Sequence, residues 1–169
     1  MRRLLLLRHA KSDWPNGVSD HERPLAPRGQ RDAPRIGQEI ARRGLSPDHA
    51  IISTSRRTRE TFSFIEPFLD RHTVRYERAI YEAAPEAILR VIRAAEPNAR
   101  SVMIVGHNPG LEQTAIYLVA GGGTVADPLY EKFPTAALAV LDFDVDSWPD
   151  ITRHQGQLAL FLTPKKLGS

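Results

Sequence analysis

The sequence predicts an α/β fold, a three-layer α/β/α sandwich built on a mixed but mostly parallel β-sheet. Short apolar runs, typical of strands buried on both faces, alternate with longer segments whose apolar residues recur at helical spacing. This alternation favours helices that cover both faces of a parallel sheet. The apolar runs lie at residues 4–7, 50–52, 102–105, 136–141 and 158–162.

Four segments between these runs have an apolar helical face. The first carries Ile36 and Ile40 and stops near Gly44, and Pro34 inside it predicts either a later helix start or a kink. The last two apolar runs have only a short connection, which predicts an antiparallel hairpin at one side of the sheet. The other helical faces contain Phe62, Ile65, Phe68 and Leu69; Ile88, Val91, Ile92 and Ala95; and Leu111, Ala115, Leu118 and Val119.

Length and composition predict a single soluble domain. The 169 residues contain no repeat and no long linker, so we expect a single domain over residues 1–169. The absence of cysteine excludes disulfides, thiolate metal sites and a cysteine nucleophile. The apolar run at residues 4–7 ends at Arg8 and is too short for a signal sequence or a membrane span. We therefore expect a cytoplasmic protein with no membrane partner.

The net charge of +3 raises the possibility of a nucleic-acid-binding protein. However, the 23 Lys and Arg are interspersed with 20 Asp and Glu, and no basic run exceeds two residues. This pattern favours an ordinary solvated surface, so we expect no nucleic-acid partner.

Arginine and histidine side chains lie within five residues of the ends of three of the apolar runs. Arg8 and His9 leave the first run, Arg57 follows the second, and His107 follows the third just before a helix. Each segment alone is typical of an ordinary turn or helix start. Because ligands bind beyond the carboxyl ends of the strands in such sheets, the three together predict one anion-binding site.

These residue types suit the chemistry of phosphoryl transfer. The phosphoryl group carries negative charge during its transfer, and arginine guanidinium groups and a helix N-terminus stabilise that charge. Neutral imidazole is a competent nucleophile near pH 7. We expect nearby Arg8 and Arg57 to lower the pKa of His9 and keep its ring ready to attack.

Three motifs resemble those of the histidine phosphatase superfamily, also called phosphoglycerate-mutase-like. Arg8-His9-Ala10 resembles its RHG or RHA signature. Residues 53–61 resemble its second motif, in which Arg57 lies four residues after Ser53. Residues 105–110 resemble its third motif. Residues 20–29 are similar to the SixA branch, the phosphohistidine phosphatases. The resemblance extends over about residues 3–163.

The resemblance implies the fold of this superfamily and a role for each motif residue. His9 is expected to form a transient phosphohistidine, and Arg8, Arg57 and His107 to bind the phosphoryl oxygens. Water then releases phosphate, and no metal or organic cofactor is expected.

Two further residues are candidates for the site. Glu82, which lies between a predicted strand and a helix, is either the acid that protonates the leaving group or a carboxylate favoured by the helix start. Mutase-like members carry a Trp-Asn after the first motif, whereas this chain reads Ser12-Asp13-Trp14-Pro15, so Ser12 is a candidate hydrogen-bond donor in place of that Asn. Lys11 is either a residue that attracts anionic substrates or simply an exposed lysine.

The predicted substrate is phosphohistidine on a protein partner of the phosphorelay type. A small phosphorylated metabolite is the alternative with the same chemistry, and a non-catalytic module that binds a phosphorylated partner is the second alternative. The chain is too short for the insertions of cofactor-dependent mutases, which favours hydrolysis. Four histidines match no motif and are interpreted as surface or loop residues: His21, His49, His72 and His154.

Overall fold

The computed structural model describes residues 1–121 and 132–167, and its sheet confirms the predicted α/β class. The strand order is β3-β2-β4-β1-β5-β6. Neighbours among β1 to β4 are parallel, whereas β5 runs antiparallel to β1 and to β6, as the predicted hairpin requires. The strands are β1 (Arg2–Arg8), β2 (His49–Ser53), β3 (Thr73–Glu77), β4 (Ser101–Gly106), β5 (Leu138–Phe143) and β6 (Gln157–Leu162).

The helices follow the predicted segments, with corrections at two prolines. They are α1 (Pro27–Arg42), α2 (Arg56–Ile65), α3 (Pro85–Arg93) and α4 (Gly110–Leu118). α1 begins at Pro27, where a missing N–H costs nothing, and continues through Pro34, so Pro34 does not mark its start. The prediction that the second helical face extends to Leu69 is wrong, because α2 ends at Ile65 and Pro67 lies in a separate 3₁₀ turn.

The hydrophobic core has two parts, one on each face of the sheet. Successive side chains of a strand point to opposite faces, so Leu5 and Leu7 pack with Ile36 of α1, whereas Leu4 and Leu6 pack with Ile88 of α3. All four leucines of β1 have no exposed surface. This burial confirms the three-layer arrangement that the apolar runs predicted.

Strand β3 lacks an apolar run because it lies at the edge of the sheet. Among the described residues it pairs only with β2, and its residues are exposed or half-buried, with Tyr76 52% exposed. β3 nevertheless runs parallel to β2, so it delivers the loop that follows it to the same edge as β1, β2 and β4. Nowhere in the described ranges is a helix long and apolar enough to span a bilayer.

Candidate active site

The three predicted motifs meet at one edge of the sheet. Arg8 is paired with Gly106 in the register of β1 and β4, so the next residues, His9 and His107, leave the sheet at the same level. The His9 N–H donates to the Gly106 carbonyl at 3.0 Å, and the two imidazole centroids are 5.4 Å apart. Both rings are buried, with exposed fractions of 7% for His9 and 2% for His107.

His9 has a fixed tautomer. Its Nδ1 lies 2.7 Å from the Ala10 carbonyl, an acceptor only, so Nδ1 carries the proton and Nε2 keeps a free lone pair. Thr61 of α2 holds this turn, since its Oγ1 accepts from the Ala10 N–H at 2.9 Å. Burial lowers the pKa of His9 to about 3, opposed by the hydrogen bond to the Ala10 carbonyl and assisted by the charges of Arg57 and Arg8. His9 is therefore neutral near pH 7.

The proton of His107 lies on the ring nitrogen that points away from Ser53, its hydrogen-bond partner. Nε2 lies 2.7 Å from Ser53 Oγ, which accepts from the Ser55 N–H at 3.5 Å. Within the described residues the Ser53 hydroxyl has no acceptor other than this Nε2, so we assign its hydrogen to the bond with His107. The proton of His107 is then on Nδ1. Burial lowers the pKa of His107 to about 2, assisted by His9 and Arg57.

Arg57 lies in the first turn of α2, where Ser55 caps the helix by accepting from the Thr58 N–H at 3.3 Å. Its guanidinium is buried and donates to the Asp20 carbonyl at 2.7 Å, to Asp20 Oδ2 at 3.1 Å and to Glu82 Oε1 at 2.6 Å. Its neighbour Arg56 is exposed and pairs with Glu60 at 3.0 Å. The structure thus distinguishes the two adjacent arginines, and only Arg57 faces the histidines.

Arg8 is anchored from the far side of the site. Its Nη1 donates to the Phe133 carbonyl at 3.1 Å, which also accepts from Asn108 Nδ2 at 2.9 Å. Burial lowers the pKa of Arg8 from its ordinary value.

Three buried nitrogens around the site have no hydrogen-bond partner in the described part of the chain. They are Arg8 Nε, Arg57 Nε and His107 Nδ1, one from each motif. A buried donor without a partner is costly, and three that converge on one place are typical of a site that binds an anion. No grouping of three His, Cys, Asp or Glu within those same ranges has the arrangement of a metal site.

The two further candidates occupy different positions. Glu82 precedes α3 with a left-handed backbone, φ 49°, and its Oε1 lies 3.5 Å from His107 Nδ1 as well as against Arg57. Its carboxylate thus contacts two of the groups predicted to hold phosphoryl oxygens. Ser12 is buried and its Oγ accepts from Arg23 Nη2 at 2.7 Å, which leaves the hydroxyl hydrogen available to another acceptor.

Sequence reasoning assigned no role to Asp20, Tyr81 or Arg23, which form the rim of the site. The Tyr81 hydroxyl donates to Asp20 Oδ2, and Arg23 donates to Asp20 Oδ1 at 3.0 Å. The Tyr81 hydrogen bond, followed by those from Arg23 and Arg57, holds the pKa of Asp20 well below its usual range. The SixA-like segment 20–29 contains Asp20 and Arg23, but the resemblance gave neither residue a role. A buried Arg57 also needs a counter-charge, which does not name the residue that supplies it.

Of the four histidines interpreted as surface or loop residues, His49 contradicts that prediction, whereas His21 lies in a turn near the site. The His21 ring packs edge-on against Tyr81 with centroids 4.9 Å apart, and its Nε2 lies 2.9 Å from Thr54 Oγ1. His49 is buried at the start of β2 and its Nδ1 lies 2.6 Å from Thr73 Oγ1. His21 therefore belongs to the rim of the site.

Comparison with known proteins identifies the family to which this site belongs. A family model described as the histidine phosphatase superfamily (branch 1) matches residues 4–86. The uncharacterized protein Rv1276c of Mycobacterium tuberculosis is 35% identical over 167 residues, which cover 94% of this chain and 100% of the relative.

Solved structures extend this likeness to three dimensions. A candidate phosphohistidine phosphatase SixA from Agrobacterium tumefaciens is 34% identical with a TM-score of 0.83, and the match covers 96% of this chain and 98% of that one. Another, from Nakamurella multipartitia, is 31% identical with a TM-score of 0.85 and covers 96% of each chain. A protein histidine phosphatase SixA complexed with tungstate shares the fold, with a TM-score of 0.77 at 16% identity over 98% of this chain and 99% of that one.

Proposed function

Since the chain belongs to the histidine phosphatase superfamily, we propose that it hydrolyses phosphohistidine on a protein through a covalent phosphohistidine formed on His9. The chain is a phosphatase, and its mechanism and substrate class are inferred from the site. The observation that carries the mechanism is the hydrogen bond from His9 Nδ1 to the Ala10 carbonyl at 2.7 Å. This bond leaves Nε2 as a free, neutral nucleophile beside three unpartnered buried donors.

In the first step, the lone pair of His9 Nε2 attacks phosphorus. A P–N bond forms on His9 while the bond between phosphorus and the leaving group breaks, and the leaving nitrogen or oxygen takes up a proton from water or from Glu82, the candidate acid. Arg8, Arg57 and the Nδ1–H of His107 bind the phosphoryl oxygens, whose charge they balance. Water then attacks phosphorus, which releases inorganic phosphate and restores neutral His9. These steps use no metal and no organic cofactor.

A protein-borne substrate is supported by relatives and by the shape of the entrance. Two solved structures that are more than 30% identical carry the name phosphohistidine phosphatase SixA. At the rim, the side chains of Asp20 and Glu82 are 43% and 48% exposed, so these described parts of the entrance are open to solvent. An open entrance admits a phosphohistidine that projects from a protein surface.

The test is phosphate release by wild type and His9→Ala, with a phosphohistidine-bearing phosphotransfer domain, an aryl phosphate and small phosphoesters offered in parallel in EDTA. We expect turnover by wild type, fastest on the protein, and none by the variant. His154→Asn is the matched control, because Asn tolerates the left-handed backbone of His154, φ 60°. Equal activity of His9→Ala would exclude His9 as the nucleophile, and a preference for a small phosphoester would replace the protein substrate by a metabolite.

A further inference from the structure

A groove of about 860 Å³ lies beside the active site, and five of the eleven residues that line it are basic. We call it the basic groove. It runs between the start of α1, the segment 132–135 and the residues that follow β6. The side chains that matter here are Arg28, Arg35, Lys132, Phe161, Lys165 and Lys166.

The segment 132–135 connects the basic groove directly to the catalytic groups. The Phe133 carbonyl accepts from Arg8 Nη1, and the Ala136 N–H donates to the His9 carbonyl at 3.0 Å. β6 runs antiparallel to β5, and the pair Leu138 and Leu162 brings the end of β6 to the same edge of the sheet. A molecule whose phosphoryl group is on His9 therefore has the basic groove next to it.

The charge of the basic groove is strongly positive among the described residues. Five cationic side chains line it, against the single carboxylate of Asp32. Asp32 lies 3.8 Å from Arg28 and 3.3 Å from Arg35, so its charge is already shared by two arginines. Lys132 and Lys165 are exposed and have no ion-pair partner within the described ranges. The excess of positive charge faces solvent, where it attracts anionic groups.

We propose that the basic groove docks an acidic surface of the phosphorylated protein substrate. The proposal rests on the proposed function, since it names the part of that substrate which the chain recognises outside the phosphoryl site. The cations come from three separate chain segments and stand on an open face, which suits several carboxylates of a protein better than one compact phosphate. Phe161, half-buried beneath Lys166 Nζ at 4.8 Å from its ring centroid, supplies an apolar contact of the kind found at interface centres.

The test compares the double variant Lys165→Glu/Lys166→Glu with the wild type on two substrates. One is a phosphohistidine-bearing phosphotransfer domain with an acidic surface, and the other is a small phosphoramidate that cannot reach the groove and the site together. The matched control is Arg71→Glu/Arg100→Glu, with the same change of charge on exposed residues that precede β3 and β4, at the opposite edge of the sheet. Lys132→Glu is a second, independent variant on another wall of the groove.

We expect the lysine variants to lower kcat/KM for the protein substrate about tenfold at low salt, an effect that high salt abolishes. Activity on the small phosphoramidate and the unfolding temperature should stay at wild-type values, as should both activities of the control. Wild-type kinetics of the lysine variants on the protein, or an equal loss on both substrates, would overturn docking in the groove. Failure of the proposed function is distinct: wild type itself would then hydrolyse the small phosphoramidate but not the phosphoprotein, and docking would fall with it.

Discussion

His9 and His107 hold their ring protons in places that give the two rings different roles. The Ala10 carbonyl fixes the proton of His9 on Nδ1 and leaves Nε2 bare. The Ser53 hydroxyl occupies Nε2 of His107 and leaves Nδ1–H as a donor into the site. Two rings of identical chemistry, 5.4 Å apart, thus present one lone pair and one proton to the same phosphoryl group.

Ser53→Ala tests this difference. The substitution removes the hydrogen bond that selects the tautomer of His107, so a fraction of the rings will present a lone pair to the phosphoryl oxygens. We expect kcat to fall about ten- to a hundredfold, in the range for a weakened oxyanion donor. Nitrogen NMR of the His107 ring checks the tautomer directly. Ser63→Ala, on the exposed face of α2, is the control; wild-type kcat in Ser53→Ala would contradict the assignment.

Glu82→Gln separates the two roles left open for this carboxylate. Glu82 Oε1 contacts Arg57 at 2.6 Å, so its charge competes with a bound oxyanion. We expect the variant to bind tungstate about fivefold tighter, a modest change because the side chain is half-exposed.

If Glu82 also protonates leaving groups, hydrolysis of alkyl phosphates by Glu82→Gln will fall while that of phosphoramidates will not. Calorimetry and parallel kinetics check both, with Glu86→Gln as control; unchanged tungstate affinity would exclude the competition.

At the scale of elements, apolar runs predicted the buried strands and the chemistry at their ends. β1, β2 and β4 each have a run of buried residues, and this made Arg8, Arg57 and His107 visible as strand-end groups. The apolar pattern did not predict β3, because a strand at the edge of the sheet needs no apolar run. The role of the rim residues was not predicted for a different reason. Asp20 contacts Arg57 only in the folded chain, and the local sequence pattern does not encode this contact.

The start of α4 packs so closely on the loop of Glu82 that only glycine fits at position 110. A Cβ on Gly110 would lie 2.2 Å from the Ala83 carbonyl oxygen. We expect Gly110→Ala to lower the free energy of unfolding by about 1–3 kcal/mol and to displace Glu82. Urea denaturation measures the first effect and activity on alkyl phosphates the second.

Gly106→Ala is the informative comparison, because its added Cβ would meet only the Leu111 side chain, at 3.6 Å or more. We expect this variant to stay close to wild-type stability although it adjoins His107. Equal destabilisation by the two substitutions would show that contact with the Ala83 carbonyl is not the cause.

The two buried neutral histidines make the stability of the whole molecule depend on pH. In the folded chain, burial lowers the pKa of His9 to about 3 and of His107 to about 2, below the ordinary value of 6.5. Below pH 6.5 the unfolded chain therefore takes up protons that the folded chain does not. By linkage, the free energy of unfolding decreases as the pH falls through this range.

We expect the urea midpoint to fall between pH 7 and pH 5, and the fall to be shallower in His107→Gln, which removes one of the two groups. Histidine NMR of the folded protein should find His9 and His107 neutral throughout this range. His72 is the internal control: burial lowers its pKa, but bonds to the Asp70 carbonyl and to Glu66 outweigh burial and raise it. A midpoint independent of pH, or the same slope in both proteins, would refute this account.

The central place of β1 in the sheet affects the order in which the chain can fold during its synthesis. β1 is flanked by β4, which begins at Ser101, and by β5, which begins at Leu138. Its four buried leucines therefore have no strand partner on the ribosome until β4 emerges, and no second partner until β5 follows. Contacts this distant in sequence form slowly. A translating ribosome thus carries an unpaired apolar strand for most of the chain, a segment that chaperones are suited to shield.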